Sequence, residues 1–265
     1  MNENIFILFH LSTGDNLTMY ALIRYYQQIY NNIYIFSLYR NQLFVKQLYE
    51  YYPNIHVIVI EDINYNNYLV LNYILDEHVN KVGNYDIIKI GGHNEDWNNT
   101  DLRLFWRKFY ENSNLPYEIR YDYNNINRNY ENELKLYNLL ISKYSNNYIF
   151  VHDHRHINYN HFHIRRNINL DTNIETPIFH PNFNYYTDNS GHIYYNLWSN
   201  DLISNNLLDY CMIIENAKEI YISDSSFACL CPYLNLSHIK KKCVYTRLNM
   251  VDYHNSFNDW EIIFD

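Results

Sequence analysis

Short apolar runs rich in β-branched and aromatic residues alternate with longer mixed segments along most of this sequence. The alternation is typical of βα units and predicts parallel sheets covered by helices, because parallel strands need long crossover connections. The expected strands lie near residues 5–10, 33–38, 55–60, 85–90, 148–153, 177–180, 219–224 and 243–246. The expected helices lie near residues 16–30, 41–51, 66–82, 101–110, 131–144, 205–218 and 225–234.

A polar stretch over residues 112–129 interrupts this rhythm and is a candidate hinge region. The total of 265 residues fits one large domain or two modest ones, and two is the better expectation. We therefore predict an α/β fold of two Rossmann-like domains, residues 1–145 and 146–265, which face each other across a cleft. Open α/β sheets bind ligands at the carboxyl ends of their strands, so the residues after each strand are the candidate site residues.

The composition excludes several classes of protein. The formal net charge is -9, so the overall field disfavours binding to nucleic acid. The longest apolar runs, such as residues 5–9, are far shorter than the roughly 20 residues that cross a bilayer. The four cysteines form no CxxC pair and are expected to be reduced and mostly buried. These features favour a soluble protein of the cytoplasm, or of a host's cytoplasm if an AT-rich large virus encodes it.

The first strand leads from His10 into a loop that contains Gly14, Asp15 and Asn16. Gly14 is expected to let the chain turn tightly and bring backbone N–H groups near a ligand, and Asp15 or Asn16 could cap the next helix. An ordinary strand–turn–helix joint is the alternative. The loop matches neither GxGxxG nor the P-loop pattern, so the sequence does not predict a dinucleotide or ATP site of those kinds.

The densest cationic cluster, residues 152–166, follows the middle strand. His152, Asp153 and Arg155 come at the end of that strand and supply a permanent cation beside hydrogen-bonding groups. An Arg fork is suited to holding a diphosphate, and Arg165 and Arg166 could assist. A solvated surface loop rich in His and Arg is the alternative.

The same cluster contains closely spaced histidines, which raise a zinc site as a further alternative. There is no supporting Cys pair and no HExxH motif, so we predict neither a metal nor another cofactor. The histidines are His152, His154, His156, His161 and His163.

A late strand ends in Asp224, Ser225 and Ser226, directly before Phe227 and an apolar helix. Hydroxyl groups and free N–H groups at a helix start can receive a phosphate or a sugar hydroxyl. Ser225 could instead be an ordinary N-cap. No GxSxG motif surrounds these serines, which argues against a serine hydrolase. His180 ends a weaker strand and is a further candidate for this site.

These pieces occur in an order that resembles GT-B-fold glycosyltransferases, in particular fucosyltransferase-like and heptosyltransferase-like enzymes. The resemblance rests on His10 with Gly14-Asp15, on residues 152–155, and on the segment from Ala217 to Phe227. Where the fucosyltransferase pattern has H-x-R-R-x-D, this chain has His-Asp-His-Arg-His at residues 152–156.

The resemblance implies an N-terminal acceptor domain, a C-terminal donor domain, and inverting transfer without a metal. By matching position it implies that Arg155 holds the diphosphate of a GDP-, UDP- or dTDP-linked sugar and that Ser225 and Ser226 contact the donor. Asp15, or alternatively His10, would be the general base for a hydroxyl of a glycan or glycoprotein acceptor. A non-catalytic sugar- or nucleotide-binding module and a structural protein are the competing interpretations.

Overall fold

A computed structural model describes residues 3–9, 11–62, 68–93, 101, 104–143, 145–153, 168, 176–181, 200–246 and 256–264. The described residues fall into two compact units, one ending at Arg128 and the other beginning at Asn129. Each unit contains a β-sheet whose paired strands are all parallel, together with helices. The α/β fold with two parallel sheets is therefore confirmed.

The first unit alternates strands and helices up to its fourth strand and then continues with two helices. Its strands are β1 (Asn4–Leu8), β2 (Asn32–Leu38), β3 (Ile55–Ile60) and β4 (Tyr85–Lys89). Its helices are α1 (Thr13–Tyr26), α2 (Gln42–Tyr49), α3 (Tyr68–Val79), α4 (Phe105–Glu111) and α5 (Ile119–Asp122).

The strand order in this sheet is β3-β2-β1-β4. The chain moves outward from β1 to β2 and β3, and then returns to place β4 on the other side of β1. Two side-chain layers follow from the alternation of each strand. One face packs on α3 through buried side chains, and Ile5, Ile7, Ile33 and Ile35 are buried at the alternate positions. The α3 face is formed by Phe6, Leu8, Leu11, Phe36, Leu38, Ile60, Leu71, Leu75 and Val79.

The second unit begins with a helix and then builds a five-stranded sheet. Its helices are α6 (Tyr130–Lys143), α7 (Cys211–Glu215) and α8 (Ser226–Leu230). Its strands are β5 (Ile149–His152), β6 (Ile178–Phe179), β7 (Glu219–Ser223), β8 (Lys241–Thr246) and β9 (Glu261–Phe264).

The strand order in the second sheet is β6-β5-β7-β8-β9. The chain passes from β5 to β6 on one side, and then to β7 on the other side of β5. One face of the sheet has a buried core to which Ile168 contributes from outside the strands. The strand residues of that core are Ile149, Val151, Ile178, Tyr221 and Cys243.

Helix α6 belongs to the second unit, which differs from the boundary at residues 145 and 146 expected from the sequence. The helix contacts α7 and the 3-10 turn Leu207–Tyr210 that precedes it. Leu136 and Leu140 are the buried leucines of α6. The packing of this buried side assigns α6 to the second core.

Two other regions differ from the expected elements. The helix expected over residues 205–218 is a 3-10 turn followed by the five-residue α7, and the one expected over 225–234 is α8 followed by the 3-10 turn Cys231–Tyr233. Strand β9 was not predicted from the sequence. Its residues are at most half-buried, so it lacks the strong apolar pattern of a central strand.

The four cysteines are all buried, none is in a disulfide, and all lie in the second unit: Cys211, Cys229, Cys231 and Cys243. None of the helices in the described ranges combines the length and the apolar character needed to cross a bilayer.

Candidate functional site

The strand order reverses direction within each sheet, and most of the predicted site residues lie where this happens. The reversal falls between β1 and β4 in the first unit and between β5 and β7 in the second. Open α/β sheets bind ligands in the crevice outside the carboxyl ends of the strands at such reversals. The loop after β1, the end of β5 and the turn after β7 therefore carry the residues with the strongest physical reason to contact a ligand.

The loop after β1 is organised by Ser12, which is the N-cap of α1. Its Oγ accepts a hydrogen bond from the Asp15 backbone N–H at 3.2 Å, and its carbonyl oxygen accepts one from Asn16 Nδ2 at 2.8 Å. A Ser that accepts from the third residue of the helix is a strong N-cap. The expectation that Asp15 or Asn16 would cap the helix was therefore wrong, because the helix begins at Thr13 and both residues lie inside it.

Gly14 does not form the tight turn expected from the sequence. It lies in the first turn of α1, and its carbonyl oxygen accepts a hydrogen bond from Thr18 Oγ1 at 3.1 Å. The described glycine with a positive φ is Gly91, at 65°. The turn after β1 needs no left-handed residue because Ser12 enters the helix from an ordinary extended conformation.

The two predicted bases and Asn16 are in different situations. Asp15 is half-buried in the first turn of α1, where an acidic side chain is favourable because of the helix dipole. Asn16 is fully buried, and its Oδ1 has no hydrogen-bond partner among the described residues. Its Nδ2 donates to the Ser12 carbonyl, so the side chain supports the loop from inside. His10 lies outside the described residues.

Two further strand ends in the first unit were not singled out from the sequence. Asn41 follows β2, donates from Nδ2 to the Leu11 carbonyl at 2.8 Å and accepts from Thr13 Oγ1 at 3.3 Å, so it braces the loop after β1. Gly91 follows β4 at the strand reversal, and its N–H donates to Asn112 Oδ1 at 3.3 Å. Applying the strand-end argument to β2 and β4 would have found both residues.

In the second unit, His152 at the end of β5 contacts Ser225 after β7. The distance from His152 Nδ1 to Ser225 Oγ is 3.1 Å, and it joins the two strands that border the reversal. Ser225 occupies the N-cap position of α8 but makes no side-chain cap hydrogen bond. The alternative that Ser225 is an ordinary N-cap does not hold, because its hydroxyl is used on His152.

His180 and Asp153 form a buried pair beside His152. The Asp153 backbone N–H donates to His180 Nε2 at 3.2 Å, and the same nitrogen lies 3.4 Å from Asp153 Oδ1. Nε2 can accept from the N–H group only when it carries no proton, and it can donate to the carboxylate only when it does. The geometry of the Asp153 N–H is that of a donor to Nε2, which is the first of these arrangements. Asp153 Oδ2 also accepts from the Ile168 N–H at 3.2 Å, so this carboxylate fixes the backbone at Ile168.

Phe227 is buried, and its ring packs against the rings of His152 and Phe150. Its ring centroid lies 4.5 Å from that of His152 and 5.4 Å from that of Phe150. The Tyr210 ring centroid lies 5.8 Å from that of Phe227, and the Tyr210 hydroxyl accepts a hydrogen bond from the Ser204 N–H at 2.7 Å. Burial raises the pKa of Tyr210 to about 12, so this phenol stays neutral at physiological pH. Phe227 therefore positions the His152 ring through packing.

The turn after β7 presents Asp224 and Ser226 as half-buried residues. The Asp224 N–H donates to the Tyr245 carbonyl at 3.0 Å, which ties the turn to β8. Just before it, the buried Ser223 has a hydroxyl with no hydrogen-bond partner in the described part of the chain. The structure thus brings His152, Ser225 and their neighbours together at one edge of the sheet, as the sequence predicted for the residues after β5 and β7.

The described residues directly after β5, β6 and β7 include no Lys or Arg. Arg155, the predicted diphosphate ligand, lies outside the described residues, as do Arg165 and Arg166. Within the described part of the chain, no group of three His, Cys, Asp or Glu side chains is arranged to hold a metal ion. Four of the five clustered histidines, all except His152, also lie outside the described residues.

The sequence matches no protein-family model and no curated protein. Among solved structures, the fold is similar to that of the glycosyl transferase family 9 protein from Veillonella parvula DSM 2008. The TM-score is 0.51 with 9% identical residues, and the match covers 92% of this chain and 81% of the other. At this identity the similarity concerns the fold alone, a mixed α/β fold with parallel sheets.

Proposed function

We propose that this protein is a glycosyltransferase, which moves a sugar from a nucleoside-diphosphate donor to a hydroxyl group of a glycan or glycoprotein. The observation that carries the proposal is the cluster of His152, Ser225 and the Asp153–His180 pair at the strand reversal of the second sheet. The similarity of the fold to a glycosyltransferase supports it, although fold alone does not decide function.

In this proposal the second unit binds the donor. Ser225 and Ser226 contact phosphate or sugar oxygens, and Asp224 accepts from sugar hydroxyls, since carboxylates and hydroxyls are the usual partners of such groups. Asp153 and Asp224 are acidic, so a diphosphate at this edge needs a compensating cation. Arg155 is the proposed source of that charge, because a guanidinium can bind two phosphate oxygens at once.

The first unit, in this proposal, receives the acceptor and supplies the base. Asp15 accepts the proton of the acceptor hydroxyl while the hydroxyl oxygen forms the new bond to the anomeric carbon. The bond from that carbon to the diphosphate breaks, and the nucleoside diphosphate leaves with the electron pair. A direct displacement of this kind inverts the anomeric configuration and requires stabilisation of the leaving group by Arg155 and hydroxyl donors.

A ligand screen combined with one substitution tests the proposal. GDP-, UDP- and dTDP-linked sugars are compared by thermal shift, because a ligand that binds the folded state raises its apparent stability. Asp15→Asn should bind the stabilising donor with unchanged affinity and lose at least about a hundredfold in turnover, as expected for removal of a general base. Binding is measured by calorimetry and turnover by release of the nucleoside diphosphate.

Asp76→Asn is the matched control, because Asp76 is an exposed acid on α3 of the same unit. It should leave both quantities unchanged. Normal turnover of Asp15→Asn would remove Asp15 as the base. Donor binding without turnover in the wild type would favour the non-catalytic binding module, and no stabilisation by any of these donors would reject the proposal.

A further inference from the structure

We infer that His152 is a positioning residue, which fixes the hydroxyl of Ser225 so that its proton points to an oxygen of the donor diphosphate. This inference rests on the proposed function, because it takes Ser225 as a ligand of the donor. It adds a role for a histidine that the proposed reaction does not otherwise use.

Ser225 has the backbone conformation of an N-cap residue, but its side chain bonds elsewhere. Its backbone is extended, with φ -147° and ψ -179°, as at an N-cap, yet its side chain does not accept from the N–H groups of α8. Serine in this position normally uses its oxygen for such a bond. The hydroxyl instead lies 3.1 Å from His152 Nδ1, on the other side of the strand reversal.

In the contact between His152 and Ser225, the imidazole is the fixed partner and the serine hydroxyl is the movable one. The His152 ring lies against Phe227, with centroids 4.5 Å apart, and against His180, with centroids 5.5 Å apart and an angle of 25° between the rings. Phe227 and His180 are both buried, at 5% and 1% exposure. Contact with two buried rings holds the imidazole, whereas a hydroxyl rotates freely about its C–O bond.

The number of available protons decides the direction of the hydrogen bond between His152 and Ser225. A serine hydroxyl has one proton, and a diphosphate oxygen can only accept. The hydroxyl can donate to the diphosphate only if His152 does not take that proton. In the inferred arrangement, His152 therefore carries its own proton on Nδ1 and donates it to Ser225 Oγ, which leaves the serine O–H for the donor.

Two substitutions at His152 separate this role from a general structural one. An Asn side chain can place its amide N–H near the position of Nδ1, whereas a Gln side chain places it near Nε2. We expect His152→Asn to retain the affinity for the diphosphate that binds best among GDP, UDP and dTDP. His152→Gln and Ser225→Ala should each weaken it about tenfold, the effect of losing one hydrogen bond to a charged group. The variant that combines His152→Gln with Ser225→Ala should bind the diphosphate no more weakly than Ser225→Ala alone.

The outcomes distinguish this inference from the proposed function. If Ser225→Ala weakens binding and His152→Gln does not, the role of His152 is overturned and donor binding stands. Equal losses in His152→Asn and His152→Gln, with unchanged melting temperatures, would also overturn it. If the wild type binds none of the three diphosphates, both the proposed function and this inference are rejected.

A measurement on the wild type keeps the test decisive if His152→Gln does not fold. The 15N chemical shift of His152 Nδ1, assigned by comparison with His152→Asn, reports whether this nitrogen is protonated. We expect a protonated Nδ1 whose shift changes in Ser225→Ala. An unprotonated Nδ1 would mean that Ser225 donates to His152, and it would overturn the inference without affecting donor binding.

Discussion

Two serines in this chain occupy the same kind of position and make different hydrogen bonds. Ser12 and Ser225 each follow a strand and precede a helix. Ser12 caps α1 through the Asp15 N–H, whereas Ser225 contacts His152 from a strand that is distant in sequence. The sequence suggested Asp15, Asn16 or Ser225 as caps, and it could not predict that Ser225 contacts His152, because that partner comes from the sheet order. A hydroxyl withheld from capping is a stronger candidate for ligand contact than one that is used for it.

The backbone of Gly91 has a φ of 65°, which lies in the left-handed region that favours glycine. A Cβ at that position meets the following carbonyl oxygen, so Gly91→Ala should lower the free energy of unfolding by about 1–2 kcal/mol. Urea denaturation followed by circular dichroism measures the change.

Gly83→Ala is the matched control. A Cβ built on Gly83 has no atom within 4 Å, and Gly83 has no positive φ. This substitution should leave the stability unchanged or raise it slightly, since Ala restricts the unfolded chain more than Gly. Equal destabilisation by both substitutions would show that strain at Gly91 is not the cause.

Among the helices, α6 shows how an element is assigned to a core. Leu134 is 47% exposed while Leu140 is fully buried, so only one side of this helix faces a core. The buried side of α6 contacts α7 and the turn before it, so the helix completes the second core.

Leu140→Ala should therefore destabilise the second unit by about 2–5 kcal/mol, through lost apolar contact and the cavity that remains. Hydrogen exchange with mass spectrometry should show faster exchange in α7 and β7 than in α1. Leu134→Ala removes the same atoms from an exposed position on the same helix and should leave the exchange unchanged. Faster exchange in α1 alone would contradict the assignment of α6 to the second unit.

At the scale of the whole molecule, the two units have separate cores, and all four cysteines lie in the second one. Burial raises the pKa of Cys231 far above its ordinary value and that of Cys243 to about 12. A raised pKa keeps the thiol protonated at pH 8, and only the thiolate reacts rapidly. Thiol labelling at pH 8 therefore requires opening of the second unit.

We expect the native protein to react slowly with a thiol reagent and all four thiols to react in denaturant. Leu140→Ala should accelerate labelling of the folded protein. Gly91→Ala should not, because the strain that it introduces lies in the first unit, which contains none of the cysteines. Faster labelling in both variants would show that the two cores open together. Fast labelling of the unsubstituted protein would contradict the burial of the thiols.

Much of the fold could be predicted from the sequence because the responsible signals are local. Apolar runs such as Ile55–Ile60 indicated the positions of eight strands, and β9 was missed because its residues are not deeply buried. His152 and Ser225 were predicted as site residues from the sequence alone, because ligands bind at the carboxyl ends of parallel strands and both residues lie at such ends. The sequence could not predict their contact, which depends on β5 and β7 being neighbours.

The sequence by itself determined which segments are strands, where they end and which polar residues follow them, because period and turn chemistry act over a few residues. The tertiary structure decided the strand order, the reversals at β1–β4 and β5–β7, and the unit to which α6 belongs. It also decided that Ser12 caps a helix while Ser225 contacts His152. These outcomes depend on which apolar faces pack against one another. The free energy gained by burying those faces comes from contacts between residues far apart in the chain, which local sequence does not show.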